Sequence, residues 1–95
     1  DDGTLIIDLH ADEVLETTAG MNSADILHYQ MDIFKKTMAE NKKNKGQKII
    51  FIHGKGEGVL RQALIHELNY RYKNCTYQDA SFQEYGYGAT QVTIK

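Results

Sequence analysis

The stretch from Lys48 to Arg61 restricts the fold more than any other. Ile49, Ile50, Phe51 and Ile52 run without interruption into His53, and Gly54-Lys55-Gly56-Glu57-Gly58 follows at once. An unbroken β-branched and aromatic run reads as a strand buried on both faces, hence a central, parallel strand. The glycines hand the chain to a helix with Val59, Leu60, Ala63, Leu64 and Leu68 on one stripe, and Arg61, Gln62, Glu67 and Arg71 elsewhere. A parallel strand needs a partner reached through a crossover, so this segment already demands an α/β arrangement.

The rest of the chain supplies the partners. Thr4 to Leu9 alternates as a strand, with Leu5, Ile7 and Leu9 on one face and Ile6 and Asp8 on the other. An acidic stretch from Ala11 to Asn22 is longer than the usual connection of about 2–6 residues. Ser23 has the chemistry of an N-cap, and Leu27, Met31, Phe34 and Met38 then recur at helical spacing. That helix is expected to fade between Asn41 and Gly46. Cys75 to Gln78 reads as a third strand. Ala89 to Ile94 reads as a fourth, alternating Thr90, Val92 and Ile94 against Gln91 and Thr93.

The order βαβαββ predicts an α+β two-layer sandwich. Its four-stranded mixed sheet has the last strand antiparallel and both helices on one face, leaving the other face partly wet. With 95 residues and no linker or repeat, a single domain over residues 1–95 is expected. The chain opens on aspartate, which fits the C-terminal part of a longer protein. A lone cysteine, Cys75, offers no disulfide framework and suits a reducing, cytoplasmic setting. No apolar run approaches the roughly 20 residues that span a bilayer, so no membrane partner is expected. The net charge of −2 conceals two unlike regions. Residues 1–20 hold six acids and no Lys or Arg, and the remainder holds all eleven basic residues against seven acids. The lysines at 42, 43, 45 and 48 read most simply as a solvated helix end.

Ligands of open α/β sheets gather beyond the carboxyl ends of the parallel strands. Asp8 and His10 fall at that end of the first strand, His53 at that of the second and Asp79 near that of the third. The loop from Ala80 to Gly88, with Phe82, Tyr85 and Tyr87, must share the same rim. A glycine turn leading into a helix N-terminus offers backbone N–H groups to an anion, with Lys55 and Arg61 beside it. A ligand-free tight turn is the competing reading. A Walker loop is excluded because no Gly-Lys-Ser/Thr stands at the right spacing. A dinucleotide fingerprint would need glycine where Val59 stands. His66-Glu67 lacks the second histidine of a zincin, Tyr70 occupying its place. His28 and His66 read as exposed helix residues, and Tyr70, Tyr72 and Tyr77 as packing residues with wet hydroxyls. Asp8 could orient a histidine or hold a divalent ion, but an Asp capping local backbone is a serious competitor. The rim aromatics could stack on unpaired bases or simply pack their loop.

These motifs, in this order, resemble an Smr domain, the small MutS-related module. Asp8-Leu9-His10 resembles that family's first motif, and His53-Gly54-Lys55-Gly56-Glu57-Gly58-Val59-Leu60-Arg61 its second. Gly86-Tyr87-Gly88-Ala89-Thr90-Gln91-Val92 matches its terminal Gly-Ala-Thr-x-Val segment. The resemblance implies a sandwich similar to the C-terminal domain of a bacterial translation initiation factor. It also implies binding of DNA or RNA and, in several members, DNA-nicking or RNA-cleaving endonuclease activity. Carried over by position, Asp8 and His10 are the catalytic pair. His53, Gly54, Lys55, Gly56, Gly58 and Arg61 form the phosphate-binding turn, joined by Gly86, Tyr87 and Gly88 on the facing loop. Mg²⁺ or Mn²⁺ is the implied assisting ion, with Asp8 the candidate ligand.

Two departures bear on this. Ala11 stands where the family has glycine, and the acidic stretch from Asp12 to Asn22 precedes the first helix. Acids beside the rim would repel a polyanion. The alternative expectation is therefore a non-catalytic module that docks a protein or another domain of its own chain. A small phosphorylated ligand at the glycine turn is a third reading.

Overall fold

Alternation, helical spacing and glycine punctuation resolve into six elements in the computed structural model, which describes residues 3–11, 15, 17, 19–54, 58–80 and 88–95. They are β1 (Leu5–Asp8), α1 (Ser23–Glu40), β2 (Lys48–Ile52), α2 (Val59–Arg71), β3 (Cys75–Asp79) and β4 (Ala89–Ile94). The sheet order is β1-β2-β4-β3. β1 pairs parallel to β2, with Asp8 opposite Ile52, and β4 runs antiparallel to both β2 and β3. The mixed sheet and antiparallel last strand are as expected. The last strand lies inside the sheet, between β2 and β3.

Both helices cover one face. Ile49 and Phe51 of β2 and Val92 and Ile94 of β4 meet Met31, Phe34, Met38, Leu60, Leu64 and Leu68 in one buried cluster. Phe34 sits at its centre, edge-on to Phe51 at 4.9 Å and to Tyr72 at 5.7 Å. The other face carries Ile6, which is exposed, together with Gln91 and Thr93.

Three local expectations need correction. Asn22, not Ser23, is the N-cap of α1. Its side chain accepts from the Asp25 N–H at 2.8 Å, while the Asp25 carboxylate accepts from the Asn22 N–H at 3.2 Å. This reciprocal box satisfies two helix-end donors, which a serine one residue later could not do in the same register. Val59 lies outside the buried stripe and is exposed, because the first residue of α2 faces the cleft rather than the sheet. Of the three tyrosines expected to pack, Tyr72 does and Tyr77 donates to Asn69 at 2.9 Å. Tyr70 is exposed beside His66.

Candidate functional site

Two parallel crossovers bring the start of both helices to the edge where β1 and β2 end. A cleft of about 500 Å³ opens there, lined by Ser23 and Leu27 of α1, His53 and Gly54 after β2, and Gly58 to Arg61 at the start of α2. Gln30 fastens this edge by donating to the Leu9 carbonyl at 2.7 Å, and Leu9 N–H donates to the Ile52 carbonyl at 2.9 Å.

Asp8 and His10 meet as a pair. Asp8 Oδ1 lies 2.8 Å from His10 Nδ1 and also accepts the His10 backbone N–H at 2.9 Å. One carboxylate oxygen thus holds both the ring and the backbone of His10. With Nδ1 turned to Asp8, Nε2 lies on the side of Gly54, 2.8 Å from the position a Cβ would take there. Gly54 has φ +84°, a left-handed conformation that glycine adopts without strain.

His53 is committed to the interior of the rim. Its Nδ1 lies 3.1 Å from the Gly54 carbonyl and its Nε2 3.0 Å from Thr90 Oγ1. A carbonyl only accepts, so Nδ1 carries the proton and Nε2 accepts from the threonine hydroxyl. Burial lowers the His53 pKa from its usual 6.5. The Gly54 carbonyl opposes that shift, and nearby Arg61 adds to it. Gly88 closes the junction: its carbonyl accepts from the N–H groups of both His53 and Gly54 at 3.1 Å. A Cβ on Gly88 would meet the Gly54 oxygen at 2.6 Å.

Gly58 is the N-cap of α2 at φ +79°. Among the described residues no side chain caps this helix, and no acid stands in its first turn. Among the described residues the first-turn N–H groups therefore have no side-chain acceptor, the arrangement that suits an anion. Arg61 stands beside them but donates from Nη2 to Asp79 Oδ1 at 3.0 Å. Lys55, Gly56, Gly86, Tyr87 and the aromatics Phe82 and Tyr85 lie outside the described residues.

The structure thus brings together Asp8, His10, His53, Gly54, Gly58, Arg61 and Gly88 at one rim. Three contacts were not anticipated. Thr90 polarises His53, Gln30 ties α1 to β1, and Asp79 engages Arg61. Thr90 alternates inward on β4 and was legible as a core position. The other two contacts join segments distant in sequence and left no local signal.

The Smr domain model matches residues 19–95. The chain belongs to the Smr domain family. Neither the curated proteins nor the solved structures give a match. The matched span of this Smr domain holds α1 to β4, including the glycine turn and Gly88, while β1 with Asp8 and His10 precedes it. The family is associated with nucleic-acid binding and nicking endonuclease activity. Among the described residues, no helix is long and apolar enough to cross a membrane.

Proposed function

We propose that this Smr domain binds DNA or RNA at the carboxyl-end rim and cleaves a phosphodiester there. The observation that carries the reading is the pairing of Asp8 with His10 at 2.8 Å, beside a helix start whose N–H groups have no side-chain acceptor among the described residues. In this reading a bridging phosphate docks on the first turn of α2. His10 takes a proton from the attacking water as its oxygen bonds to phosphorus. The bond from phosphorus to one sugar oxygen breaks and that oxygen takes a proton from solvent, while Asp8 holds the imidazole in register and stabilises the imidazolium formed. The α2 amides offset negative charge growing on the non-bridging oxygens, and Arg61 adds to this when phosphate competes with Asp79 for its guanidinium. His53 acts through its neighbours, as a positioning residue that sets the Gly54 turn.

The donor set does not build a cage for Mg²⁺ or Mn²⁺. Among the described residues no three His, Cys, Asp or Glu side chains converge, and one oxygen of Asp8 already serves His10. An ion held by Asp8 alone would take its other ligands from substrate and water.

The test combines low-salt binding with nicking of supercoiled plasmid and cleavage of an RNA strand, each with and without Mg²⁺ or Mn²⁺. Binding together with cleavage lost in the Asp8→Ala/His10→Ala double variant supports the reading. Cleavage unchanged in that variant assigns the activity elsewhere. The hold of Asp79 on Arg61 favours the second reading, a non-catalytic docking module. That module would bind a protein or a neighbouring domain, and no nucleic acid at any salt.

A further inference from the structure

Among its described residues, the rim is poor in net positive charge. Its arginine is paired with Asp79, and Asp8 stands beside His10. The opposite end of the molecule is different. The turn after α1, the start of β2, the turn after α2 and the end of β4 all meet there. Gly46 N–H donates to the Ile94 carbonyl at 2.6 Å, Ile94 N–H to the Gln47 carbonyl at 2.9 Å and Lys95 N–H to the Asn74 carbonyl at 3.2 Å. These bonds gather Lys42, Lys43, Lys45, Lys48, Arg71 and Lys73, with Lys95 alongside. That is seven of the eleven basic residues of the chain, all exposed. Within segments 40–48, 71–75 and 95, Glu40 is the single acid, and Glu67, one turn back on α2, pairs with Arg71 at 3.2 Å.

Helix-end charge does not account for this grouping. Complementing a helix dipole works within the last turn, and the last turn of α1 holds no basic residue. Its lysines begin beyond the C-cap Asn41. Lys48, Lys73 and Lys95 are not on helices.

A second observation coincides with the charge. A cleft of about 270 Å³ opens there, lined by Met38, Lys42, Arg71, Tyr72, Cys75 and Ile94. A cleft lined by apolar side chains together with Lys42 and Arg71 suits an unpaired base beside its phosphates. We infer that this basic pole is the main anchoring surface for single-stranded nucleic acid, with one base seated in the cleft and the backbone on the surrounding lysines. The inference rests on the proposed function, and adds to it that affinity and chemistry reside at opposite ends. β4 runs between the two ends, a distance of about 20 Å at roughly 3.3 Å per residue, which one extended strand can bridge.

The test is fluorescence anisotropy of a labelled single-stranded oligonucleotide and of its duplex, over a salt series. It uses the wild-type domain, the pole variant Lys42→Gln/Lys45→Gln/Lys73→Gln and the control variant Lys35→Gln/Lys36→Gln, mid-α1. The pole variant should bind the single strand at least about tenfold more weakly, with a salt slope shallower by about two, as expected for three lost phosphate contacts. The control should change little. Filling the cleft with Ala39→Phe should weaken the single strand and leave the duplex unaffected.

Wild-type binding that survives the pole substitutions overturns the inference and leaves the proposed function standing. Tighter binding of duplex than of single strand also overturns it. So does competition by polyglutamate equal to that by oligonucleotide, which would point to an acidic protein partner. Absence of wild-type binding overturns both readings.

Discussion

The imidazole of His10 lies against the α-carbon of Gly54, with Nε2 2.8 Å from where a Cβ would stand. Gly54→Ala should therefore displace the ring and also strain a left-handed backbone. Gly58→Ala shares the positive φ but meets nothing within 4 Å. Both should lose about 1–2 kcal/mol from conformation alone. Only Gly54→Ala should lose further stability and perturb the His10 ring resonances. Denaturant unfolding and NMR of the two variants check this.

Asp8→Asn keeps the size of the side chain and removes the charge that holds His10 Nδ1. If His10 is the proton-transfer group, His10→Ala should lower cleavage by about 10²–10⁴-fold. Asp8→Asn should lower it by less, with nucleic-acid affinity nearly unchanged. Single-turnover cleavage alongside equilibrium binding separates the two quantities.

His53 gives the domain a pH dependence of defined sign. Burial lowers its folded pKa, so around and below pH 6.5 the unfolded chain binds the proton more readily. The stabilising contribution is full above the unfolded value and is lost as pH falls through 6.5 toward the folded one. Wild type should lose more thermal stability than His53→Gln between neutral pH and about pH 5, where an unperturbed histidine is charged. Melting curves at the two pH values measure the difference.

Thr90 is 1% exposed, and its hydroxyl meets His53 Nε2. Thr90→Val would leave that nitrogen without its donor, at a cost of about 1–3 kcal/mol. The loss should exceed that of Asn22→Ala, which removes the α1 capping box for about 1 kcal/mol. Urea unfolding of both variants tests the ranking.

Much of this was legible in the sequence because each element carried its own local signal. The Ile49–Ile52 run, the Leu27, Met31, Phe34 and Met38 spacing and the β4 alternation each report burial, and burial determines the faces. The meeting of Asp8, His53 and Asp79 at one edge followed from strand direction alone. The position of β4 was less accessible, since a strand buried inside a sheet and one at its edge share the same alternation. The double engagement of His53 depends on Thr90 and Gly54 approaching to about 3 Å, a distance no spacing rule encodes. The N-cap of α1 was misplaced by one residue because asparagine and serine are comparable caps. Only the reciprocal Asp25 contact separates them.

The interior place of β4 has a consequence for how the domain comes into being. Among the described residues, β3 pairs with β4 and with no other strand, and β4 alone joins it to β2. During synthesis, everything up to Asp79 can emerge without a continuous sheet to rest on. The keystone arrives late, and its arrival also brings Thr90 to His53. Assembly of the sheet and completion of the histidine's surroundings are thus one event, and a chain cut short before residue 89 would accomplish neither.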